Sequence, residues 1–410
     1  FCHCPSSSLR RCYKSRTFYI IGAGMGAPDS LTGEAVHALA ASGAVFATQR
    51  LTAVCDRAAV CPFDRLAAEA IASDAPTVSV LVSGDVGFFS AAGRLREQLA
   101  PHGDVRLVCG LSSMQYFCAK LGVSYDDACV RSLHGRVGSI LGAVSYHKKT
   151  FVLTGGENTA PKVCKTLADA GFGGLTVHLG ENLGAADERI QTGTAETLAT
   201  EACGNLAVLL IEHPDAANAF EPVRDDMLTR AKVPMTKEEV RWVSVSRLAV
   251  QPRDTVWDVG AGTGAVTLEL ARKASDGLVY AVERKPEAVA LLHENRAKLG
   301  GYNVHIVEGA APDALEALPA PDCVFVGGSG GAMRRILEIA KQKNPAVRVV
   351  VNAIALETLH ETQAALSALG YADVEVTQLS AARGKLVGPY TMMTANNPVF
   401  ILSGGGADAE

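Results

Sequence analysis

The chain of 410 residues lacks several features that would assign it to a particular class of protein. It has no apolar run long enough to span a bilayer, because its most apolar stretches, such as residues 205–211, have the length of buried strands. It has no long run of Lys and Arg, and its formal net charge is −5, which argues against a nucleic-acid partner. Its 11 Cys show no paired CxxC spacing of the kind that binds zinc. We therefore predict a cytoplasmic protein without a membrane span, a nucleic-acid partner or a bound metal.

The two ends of the chain are predicted to lie outside the fold. Residues 1–16 hold Cys2, Cys4 and Cys12 among basic and serine residues, with no acidic residue. This composition predicts a disordered tail or the remnant of a targeting leader. Metal binding by these Cys together with His3 is the less favoured interpretation. Residues 405–410 are predicted to form a second disordered tail.

Strands that alternate with helices begin at residue 17. Short apolar strands that end in glycine, such as FYIIGAG and VSVLVSGD, alternate with helical segments as far as residue 215. The segment PDSLTGEAVHALAASG is predicted to be a helix with Asp29 or Ser30 as its N-cap. This order predicts an α/β domain over residues 17–215 with a mostly parallel sheet.

A second α/β series follows a linker. Residues 216–235 are rich in Pro and charge and show no strand pattern, which predicts a linker and domain entry. The next domain, residues 236–404, opens with a helix whose N-cap is predicted to be Thr236, because Glu239 three residues later completes a capping-box pattern. The two halves share an alternating pattern but no fixed-period repeat, so we expect two unlike domains.

The clearest chemical motif, WDVGAGTGAVTLELA, lies in the second half. A strand ends at Asp258, a loop follows with Gly260, Gly262 and Gly264, and then a helix begins. Glycines let the backbone approach a ligand closely, and a helix N-terminus offers free N–H groups. Glu283 ends the next strand, where a carboxylate can accept both hydroxyls of a ribose. The sequence DVGAGTG resembles the first motif of class I methyltransferases and predicts a nucleoside-containing cofactor.

Two later segments indicate where the adenine of the cofactor lies and which class of methyl acceptor is not expected. VEGAAPDAL follows the third strand, where class I methyltransferases place a loop along the adenine, so Ala310 is predicted to lie there. Residues 327–331 read GGSGG, whereas amino-group methyltransferases acting on nucleic acids usually have an Asn-Pro-Pro-Tyr type sequence at this place. The acceptor is therefore not expected to be a base amine.

The first half contains three glycine loops after strands. GAGMGAPDSLT contains Gly22, Gly24 and Gly26, and SGDVGFFS and CGLSSMQYF repeat the same arrangement. A dinucleotide site is disfavoured in this half, because no acidic residue ends the next strand. Three loops of this kind can line one cleft.

In this order the loops resemble the tetrapyrrole (corrin and porphyrin) methylase family. The second half, with PMTKEEVR, GGSGG and NAIALETL, resembles the decarboxylating precorrin methyltransferases, and the two resemblances together cover residues 17–404. They imply an N-terminal bilobal class III methylase fold, followed by a C-terminal class I Rossmann-like fold. They also imply S-adenosyl-L-methionine as cofactor, with one site per domain.

The resemblance assigns cofactor-binding residues in both halves. In the first half these are Gly24, Met25, Gly26, Gly84, Asp85, Val86, Ser112 and Ser113. In the second half they are Thr236, Gly260, Ala261, Gly262, Thr263, Gly264, Glu283 and Ala310. The family often has Pro where Met25 and Val86 stand, which relaxes the loops without removing a hydrogen-bond donor.

The resemblance also implies a reaction. Such fused enzymes methylate C5 and C15 of precorrin-6B, or its cobalt counterpart, and remove carbon dioxide from the ring C acetate to give precorrin-8 in cobalamin biosynthesis. Cationic and amide side chains are candidates for binding this polycarboxylate. They are Lys237, Arg241, Arg334, Asn352, Arg383 and Lys385. No catalytic residue is assigned, and a homo-oligomer is expected from the family.

Three alternatives remain at this stage. The spacing G-x-G-x-x-A also satisfies the dinucleotide fingerprint, which keeps an NAD(P)-dependent oxidoreductase open. A methyltransferase acting on another porphyrinoid remains open because glycine loops indicate the cofactor rather than the acceptor. A scaffold protein with one inactive half is the least favoured, because both halves keep their glycine loops.

Overall fold

The computed structural model describes residues 16–134 and 139–405, and these form two compact units. The first unit contains residues 16–134, 151–162 and 177–210, and the second contains residues 139–150, 163–176 and 211–405. Cys2, Cys4, Cys12 and His3 lie outside the described residues. At the border of the predicted N-terminal tail, the guanidinium of Arg16 donates to several carbonyl oxygens, including that of Ile71 at 2.7 Å.

The first half of the chain contains two five-stranded sheets. Their strand orders are β3-β2-β4-β1-β5 and β6-β7-β10-β8-β9. The strands are β1 (Thr17–Gly22), β2 (Ala44–Ala47), β3 (Ala59–Val60), β4 (Thr77–Val82), β5 (Asp104–Val108), β6 (Cys129–Ser132), β7 (Lys149–Leu153), β8 (Thr176–Glu181), β9 (Arg189–Thr194) and β10 (Ala207–Glu212). The helices are α1 (Gly33–Ala41), α2 (Leu66–Ala72), α3 (Ala92–Leu99), α4 (Ser113–Leu121), α5 (Leu141–Tyr146), α6 (Ala160–Leu167) and α7 (Ala195–Leu198).

Strand β1 lies inside the first sheet and pairs in parallel with both β4 and β5. Its side chains are apolar on both faces, and Phe18, Ile20 and Ile21 are fully buried. A strand covered on both faces reads as a continuous apolar run, which is how FYII appears in the sequence. The strand ends at Gly22, where a Cβ atom would stand 2.7 Å from the nitrogen of Gly110.

The first helix starts later than the sequence predicts. Residues Pro28–Ser30 form a short 3-10 turn, and α1 begins after Thr32, whose side chain accepts a hydrogen bond from the nitrogen of Ala35. The hydroxyl of Ser30 is engaged elsewhere, because it lies 2.7 Å from the oxygen of Ala27 and accepts from the nitrogen of Met25. The prediction of Asp29 or Ser30 as N-cap is therefore wrong.

The second unit is built on a seven-stranded sheet of order β13-β12-β11-β14-β15-β19-β16. The strands of the second half are β11 (Thr255–Val259), β12 (Leu278–Glu283), β13 (Val304–Glu308), β14 (Cys323–Val326), β15 (Arg348–Ala353), β16 (Glu375–Leu379), β17 (Ala382–Val387), β18 (Tyr390–Ala395) and β19 (Val399–Gly405). The helices are α8 (Glu238–Leu248), α9 (Ala265–Lys273), α10 (Pro286–Leu299), α11 (Met333–Lys343) and α12 (Leu356–Ala368).

The first five strands of this sheet are parallel, and β19 pairs antiparallel with β15 and β16. The carboxyl ends of the parallel strands therefore meet at one edge, where α/β sheets bind ligands. Gly405, placed by the sequence in a tail, is the last residue of β19. The predicted α/β organisation is confirmed.

The capping box predicted at the start of α8 is absent. Lys237 occupies the N-cap position, one residue after Thr236, and it makes no side-chain capping bond. The carboxylate of Glu239 does not reach back to the helix start, because it accepts from Nε and Nη2 of Arg383 at 2.5 and 2.6 Å. Thr236 instead contributes its carbonyl oxygen, which accepts from Nη1 of Arg241 at 2.6 Å.

Strands β17 and β18 form a separate two-stranded sheet. Several of its apolar side chains are exposed, including Leu386, Tyr390 and Met393. A two-stranded hairpin is only marginally stable in water by itself.

Among the helices of residues 16–134 and 139–405, none combines the length and apolarity needed to cross a membrane.

Candidate functional site

A cavity of about 540 Å³ opens at the carboxyl edge of the seven-stranded sheet. Its volume is within the range that accommodates a cofactor-sized ligand. The lining comes from segments that follow β11, β12, β13, β14 and β15, and from the residues before α8 and β19. These lining residues include Met235, Thr236, Lys237, Asp258, Gly260, Ala261, Gly262, Thr263, Glu283, Ala310, Gly327, Gly328, Asn352, Ile354, Asn396 and Asn397.

The glycine loop after β11 needs its glycines for two physical reasons. Gly260, Gly262 and Gly264 have φ values of +77°, +57° and +81°, which side chains with a Cβ rarely adopt. A Cβ at Gly260 would also stand 2.8 Å from the carbonyl oxygen of Gly328. The loop therefore runs close to the residues after β14, and helix α9 begins directly after it.

Glu283 holds this loop against the end of β12. Its Oε2 accepts from the nitrogen of Gly262 at 2.9 Å, and its Oε1 accepts from the nitrogens of Arg284 and Lys285 at 2.8 and 2.9 Å. The residue is only 8% exposed, yet it lines the cavity. Since a carboxylate has about four acceptor positions, it can still accept from a ligand hydroxyl.

Beside the loop, two polar atoms have no hydrogen-bond partner among the residues that the structure describes. The carboxyl of Asp258 is fully buried, and its Oδ2 accepts from the hydroxyl of Thr267 at 2.5 Å, while its Oδ1 has no partner. The hydroxyl of Thr263 is also buried without a partner. Burial raises the pKa of Asp258 to about 7. Because unpaired buried polar groups are costly, these atoms fit a site that a polar ligand completes.

The six predicted substrate-binding residues divide into two groups. Lys237 and Asn352 line the cavity. The side chain of Arg241 is fully buried, where it pairs with Asp225 at 3.2 Å, so the prediction that it binds substrate at the cavity mouth is wrong.

The other three arginines and lysines lie outside the lining. Arg334 is exposed on α11, and Lys385 is exposed on β17. Arg383 forms ion pairs with Asp225, Glu238 and Glu239. The structure thus places one cation, Lys237, in the cavity wall among these candidates.

In the first unit, the predicted loops meet each other through their backbones. Gly24 and Gly84 form an antiparallel bridge in which each nitrogen donates to the other's oxygen, at 3.2 and 2.8 Å. Gly24, Gly26 and Gly84 have φ values of +56°, +86° and +71°. The side chain of Met25 is buried, and its nitrogen donates to the hydroxyl of Ser30.

Asp85 and Ser112 both bind neighbouring backbone in this region. The carboxylate of Asp85 accepts from the nitrogens of Gly87 and Gly110 at 2.8 and 3.0 Å. Ser112 is the N-cap of α4 and forms a capping box with Gln115. Val86 and Ser113 flank these positions in sequence. The structure brings these loops together, while the side chains of Asp85 and Ser112 bind local backbone groups.

Some lining residues were not predicted. Asn396 and Asn397 reach the cavity from the segment between β18 and β19, and only the fold shows this, because they lie far from the glycine loop in sequence. Ile354 joins them from the segment after β15. Asp258 was visible in the sequence as the acidic residue before the loop, but only its complete burial indicates a role at the cavity.

Comparison with known proteins assigns the family. Residues 17–199 match the tetrapyrrole (corrin/porphyrin) methylases, and residues 229–404 match the precorrin methyltransferase domain. A decarboxylating precorrin-6Y C(5,15)-methyltransferase from a Sinorhizobium species is 32% identical over 302 residues, which cover 72% of each protein. The chain belongs to the family of decarboxylating precorrin-6Y C(5,15)-methyltransferases.

Other relatives of this precorrin methyltransferase family match one half. A cobalt-precorrin-6B C(15)-methyltransferase (decarboxylating) from Salmonella typhimurium is 36% identical over 183 residues, covering 44% of this chain and 94% of that protein. The crystal structure of a precorrin-6Y C5,15-methyltransferase from Geobacter metallireducens is 36% identical, covers 45% of this chain and 96% of its own, and has a TM-score of 0.43.

The family assignment confirms the two resemblances noted in the sequence. The chain is a methyltransferase of cobalamin biosynthesis in which a tetrapyrrole methylase domain precedes a precorrin methyltransferase domain. This result favours the methyltransferase over the oxidoreductase. Methyltransferases of this family use S-adenosylmethionine.

Proposed function

We propose that the chain methylates C5 and C15 of precorrin-6B, or of its cobalt counterpart, and decarboxylates the ring C acetate to give precorrin-8. The glycine-loop cavity of the second unit carries this proposal. It opens at the carboxyl edge of the sheet, and its lining includes Glu283, a carboxylate that can bind the ribose of a nucleoside. Each transfer would move a methyl group from sulfur to a macrocycle carbon: that carbon's electron pair forms the new C–C bond, and the electron pair of the broken S–C bond stays on sulfur, which leaves as a neutral thioether. Loss of carbon dioxide leaves an electron pair that the conjugated macrocycle accepts.

One cofactor site per domain is part of the proposal. In the second domain, residues 260–264 would surround the methionine and ribose, Glu283 would accept from the ribose hydroxyls, and Ala310 would lie along the adenine. The bound cofactor supplies an electrophilic methyl group on a sulfonium. Asp258 Oδ1 and the Thr263 hydroxyl, which have no protein partner, support the presence of a polar ligand beside the loop.

The residues of this domain would act mainly by position. A cavity that excludes water and holds two large reactants in line lowers the entropic part of the barrier. Lys237 in the cavity wall would pair with a substrate carboxylate as a point charge. No general base is required of the protein for attack by an electron-rich bridging carbon.

The first domain would methylate C5. Its cofactor would contact the three joined loops at Gly24, Met25 and Gly26, at Gly84 to Val86, and at Ser112 and Ser113. The backbone bridge between Gly24 and Gly84 supports this arrangement, because it holds two of the loops in a fixed relation.

The test is anaerobic incubation of the full chain with S-adenosylmethionine and precorrin-6B, followed by high-resolution mass spectrometry of the pigment. The wild-type chain should add two methyl groups and lose one carbon dioxide. Gly262→Trp should leave a singly methylated product that keeps its carboxylate, because a Cβ there already stands 3.3 Å from the oxygen of Pro234 at a φ of +57°. Gly26→Trp should block the C5 methylation.

Two outcomes would contradict the proposal in different ways. Binding of S-adenosylmethionine without any mass change, for both precorrin-6B and its cobalt counterpart, would show that the acceptor is another porphyrinoid. Absence of cofactor binding to the wild-type chain would refute the proposed sites themselves.

Self-association is a further part of the proposal. The exposed apolar side chains of Leu386, Tyr390 and Met393 on the β17–β18 hairpin support it, because such side chains are usually covered in an assembly. Light scattering of the full chain tests it, and a monomer at micromolar concentration would refute it. The cytoplasmic location stays a prediction.

A further inference from the structure

Ser244 and Asn352 form a polar pair inside the second unit. Ser244 lies on α8 and is fully buried, and Asn352 lies near the end of β15 and lines the cavity. The hydroxyl oxygen of Ser244 is 2.7 Å from the carbonyl oxygen of Val240 and 2.9 Å from Oδ1 of Asn352. Both neighbours are acceptors as the amide is placed.

Counting hydrogens shows that this placement leaves one oxygen–oxygen contact of Ser244 without a proton and one N–H group without an acceptor. A serine hydroxyl has one proton, so it can donate to Val240 or to Asn352 but not to both. Nδ2 of Asn352 is buried and has no hydrogen-bond partner within residues 16–134 and 139–405. The oxygen and nitrogen of an amide are nearly equal in size, and their assignment rests on the hydrogen bonds around them.

Exchanging the two amide atoms resolves both conflicts. Ser244 then donates to the oxygen of Val240 and accepts a hydrogen bond from Nδ2 of Asn352. The carbonyl oxygen of Asn352 takes the place of the partnerless nitrogen. An under-satisfied carbonyl oxygen is less unfavourable in a protein than a buried N–H without an acceptor.

We propose that Ser244 fixes the amide of Asn352 so that its carbonyl oxygen accepts a hydrogen bond from an N–H group of a ligand in the cavity. Ser244 is the positioning residue, and Asn352 is the binding residue. The proposal rests on the function proposed above, which supplies two sources of N–H donors: the tetrapyrrole, and the cofactor with its ammonium and adenine amino groups.

The order of the strands favours the tetrapyrrole as the donor. Glu283, the proposed ribose ligand, ends β12, and Asn352 lies on β15, with β11 and β14 between these two strands. A cofactor that extends from β13 across the loop after β11 leaves β15 on the far side of the cavity. The N–H at Asn352 is therefore assigned to the acceptor.

The amide orientation is tested without any ligand. In the full-length chain labelled with 15N-asparagine, the side-chain NH2 signal of Asn352 is identified by its loss in Asn352→Leu. We expect one of its two protons to exchange slowly with solvent, and this protection to disappear in Ser244→Ala. An NH2 signal that is unchanged in Ser244→Ala would overturn the proposal.

The binding role is tested with two substitutions of opposite character. Asn352→Leu removes the acceptor oxygen, and Asn352→Asp keeps an oxygen at both positions. We expect Asn352→Leu to raise the KM for the tetrapyrrole about tenfold with little change in kcat, and Asn352→Asp to raise it less than about threefold, because one hydrogen bond accounts for the difference. An equal loss in both variants would mean that Asn352 donates, which overturns the proposal.

Calorimetry with S-adenosylmethionine separates the two sources. An unchanged affinity in Asn352→Leu, together with the raised KM, assigns the N–H to the tetrapyrrole. A weakened affinity assigns it to the cofactor and keeps the acceptor role. If neither quantity changes, the proposal is refuted. A wild-type chain that binds no cofactor and converts no precorrin would refute the proposed function instead, while the amide signal would still report the orientation.

Discussion

The two halves use the same sequence pattern, glycines directly after a strand, for different physical purposes. In the first unit the glycines let loops touch each other, since Gly24 and Gly84 exchange backbone hydrogen bonds and a Cβ at Gly110 would stand 2.4 Å from the oxygen of Gly84. In the second unit, Gly260 likewise lies against the backbone of Gly328, but the loop that holds Gly260 and Gly262 also lines an open cavity. A glycine after a strand therefore indicates a close approach, and the partner in that approach is known only from the fold.

The acidic residues of the two regions differ in the same way. Asp85 has both carboxylate oxygens bound to loop nitrogens, and it joins its own loop to Gly110. Glu283 also binds backbone nitrogens, but it lines the cavity. We infer that replacing the carboxylate of Asp85 weakens cofactor binding only by changing the loop geometry. Replacing that of Glu283 changes the loop geometry and also removes a contact with the ligand.

The largest effect is expected from a single methyl group at Gly110. Its Cβ would stand 2.4 Å from the oxygen of Gly84 and 2.5 Å from the oxygen of Gly22. Both are backbone atoms, which cannot move aside as the end of a flexible side chain can. Overpacking of this kind costs about 1 to 3 kcal/mol and would separate the loops. Gly110→Ala should therefore abolish the first methylation, as measured by the mass of the pigment.

The control for this change is Gly93→Ala. Gly93 lies in α3, and a Cβ there would meet no atom within 4 Å, so the same substitution should leave activity unchanged and raise helix stability slightly. The second methylation should persist in Gly110→Ala. Full activity of Gly110→Ala would show that the loops of the first unit need not meet.

The second-largest effect is expected on cofactor affinity when the carboxylates of Glu283 and Asp85 are replaced by amides. Glu283→Gln replaces one acceptor oxygen by an NH2 group that faces backbone N–H donors, so we expect the affinity of the second site for S-adenosylmethionine to fall about 10-fold to 100-fold. Asp85→Asn makes the matched change in a half-buried loop and should weaken the first site less, by about threefold. Calorimetry of each variant measures this. A greater loss in Asp85→Asn would reverse the comparison.

The sequence indicates the class of each half because local patterns reflect local physics. The glycines after β11, the carboxylate that ends β12 and the alternation of strands and helices are all predictable from periodicity and spacing. Arg241 is different, since its burial depends on Asp225, which folds back from the linker. Asn396 reaches the cavity because β19, which follows it, runs antiparallel to β15 and therefore begins at the carboxyl end of that strand. Such long-range placements leave no local signal in the chain.

A smaller effect should appear in the pH dependence of stability. Burial raises the pKa of Asp258 to about 7, while an unfolded chain ionises this carboxyl near about 3.9. Between these values the folded state binds one more proton, so stability falls as pH rises and levels off above about 7. In the wild type, the free energy of urea unfolding should be lower at pH 8 than at pH 5. This difference should be smaller by about 2 kcal/mol in Asp258→Asn.

The matched variant for this test is Thr267→Val. The hydroxyl of Thr267 donates to Asp258 and lowers its pKa, so removing the hydroxyl should raise the pKa and extend the loss of stability to higher pH. Equal losses between pH 5 and pH 8 in the wild type and in Asp258→Asn would show that this carboxyl does not hold a proton in the folded state.

The smallest effect is expected at Arg383, and it separates residues outside the cavity from residues that bind the substrate. Its guanidinium ties the start of β17 to Glu238 and Glu239, and these carboxylates raise its pKa further above its usual range. Because the side chain is 38% exposed, we expect Arg383→Gln to cost about 1 kcal/mol or less, and this difference should shrink at high salt.

Activity decides the role of Arg383. Arg383 does not line the cavity, so the KM for the tetrapyrrole should change less than about twofold in Arg383→Gln, as it should in Lys385→Gln on the same strand. By contrast, Lys237→Gln should raise it clearly, because Lys237 lies in the cavity wall. If Arg383→Gln raised the KM as strongly as Lys237→Gln, the hairpin would have to bring Arg383 to the substrate, and the division between residues outside the cavity and binding residues would fail.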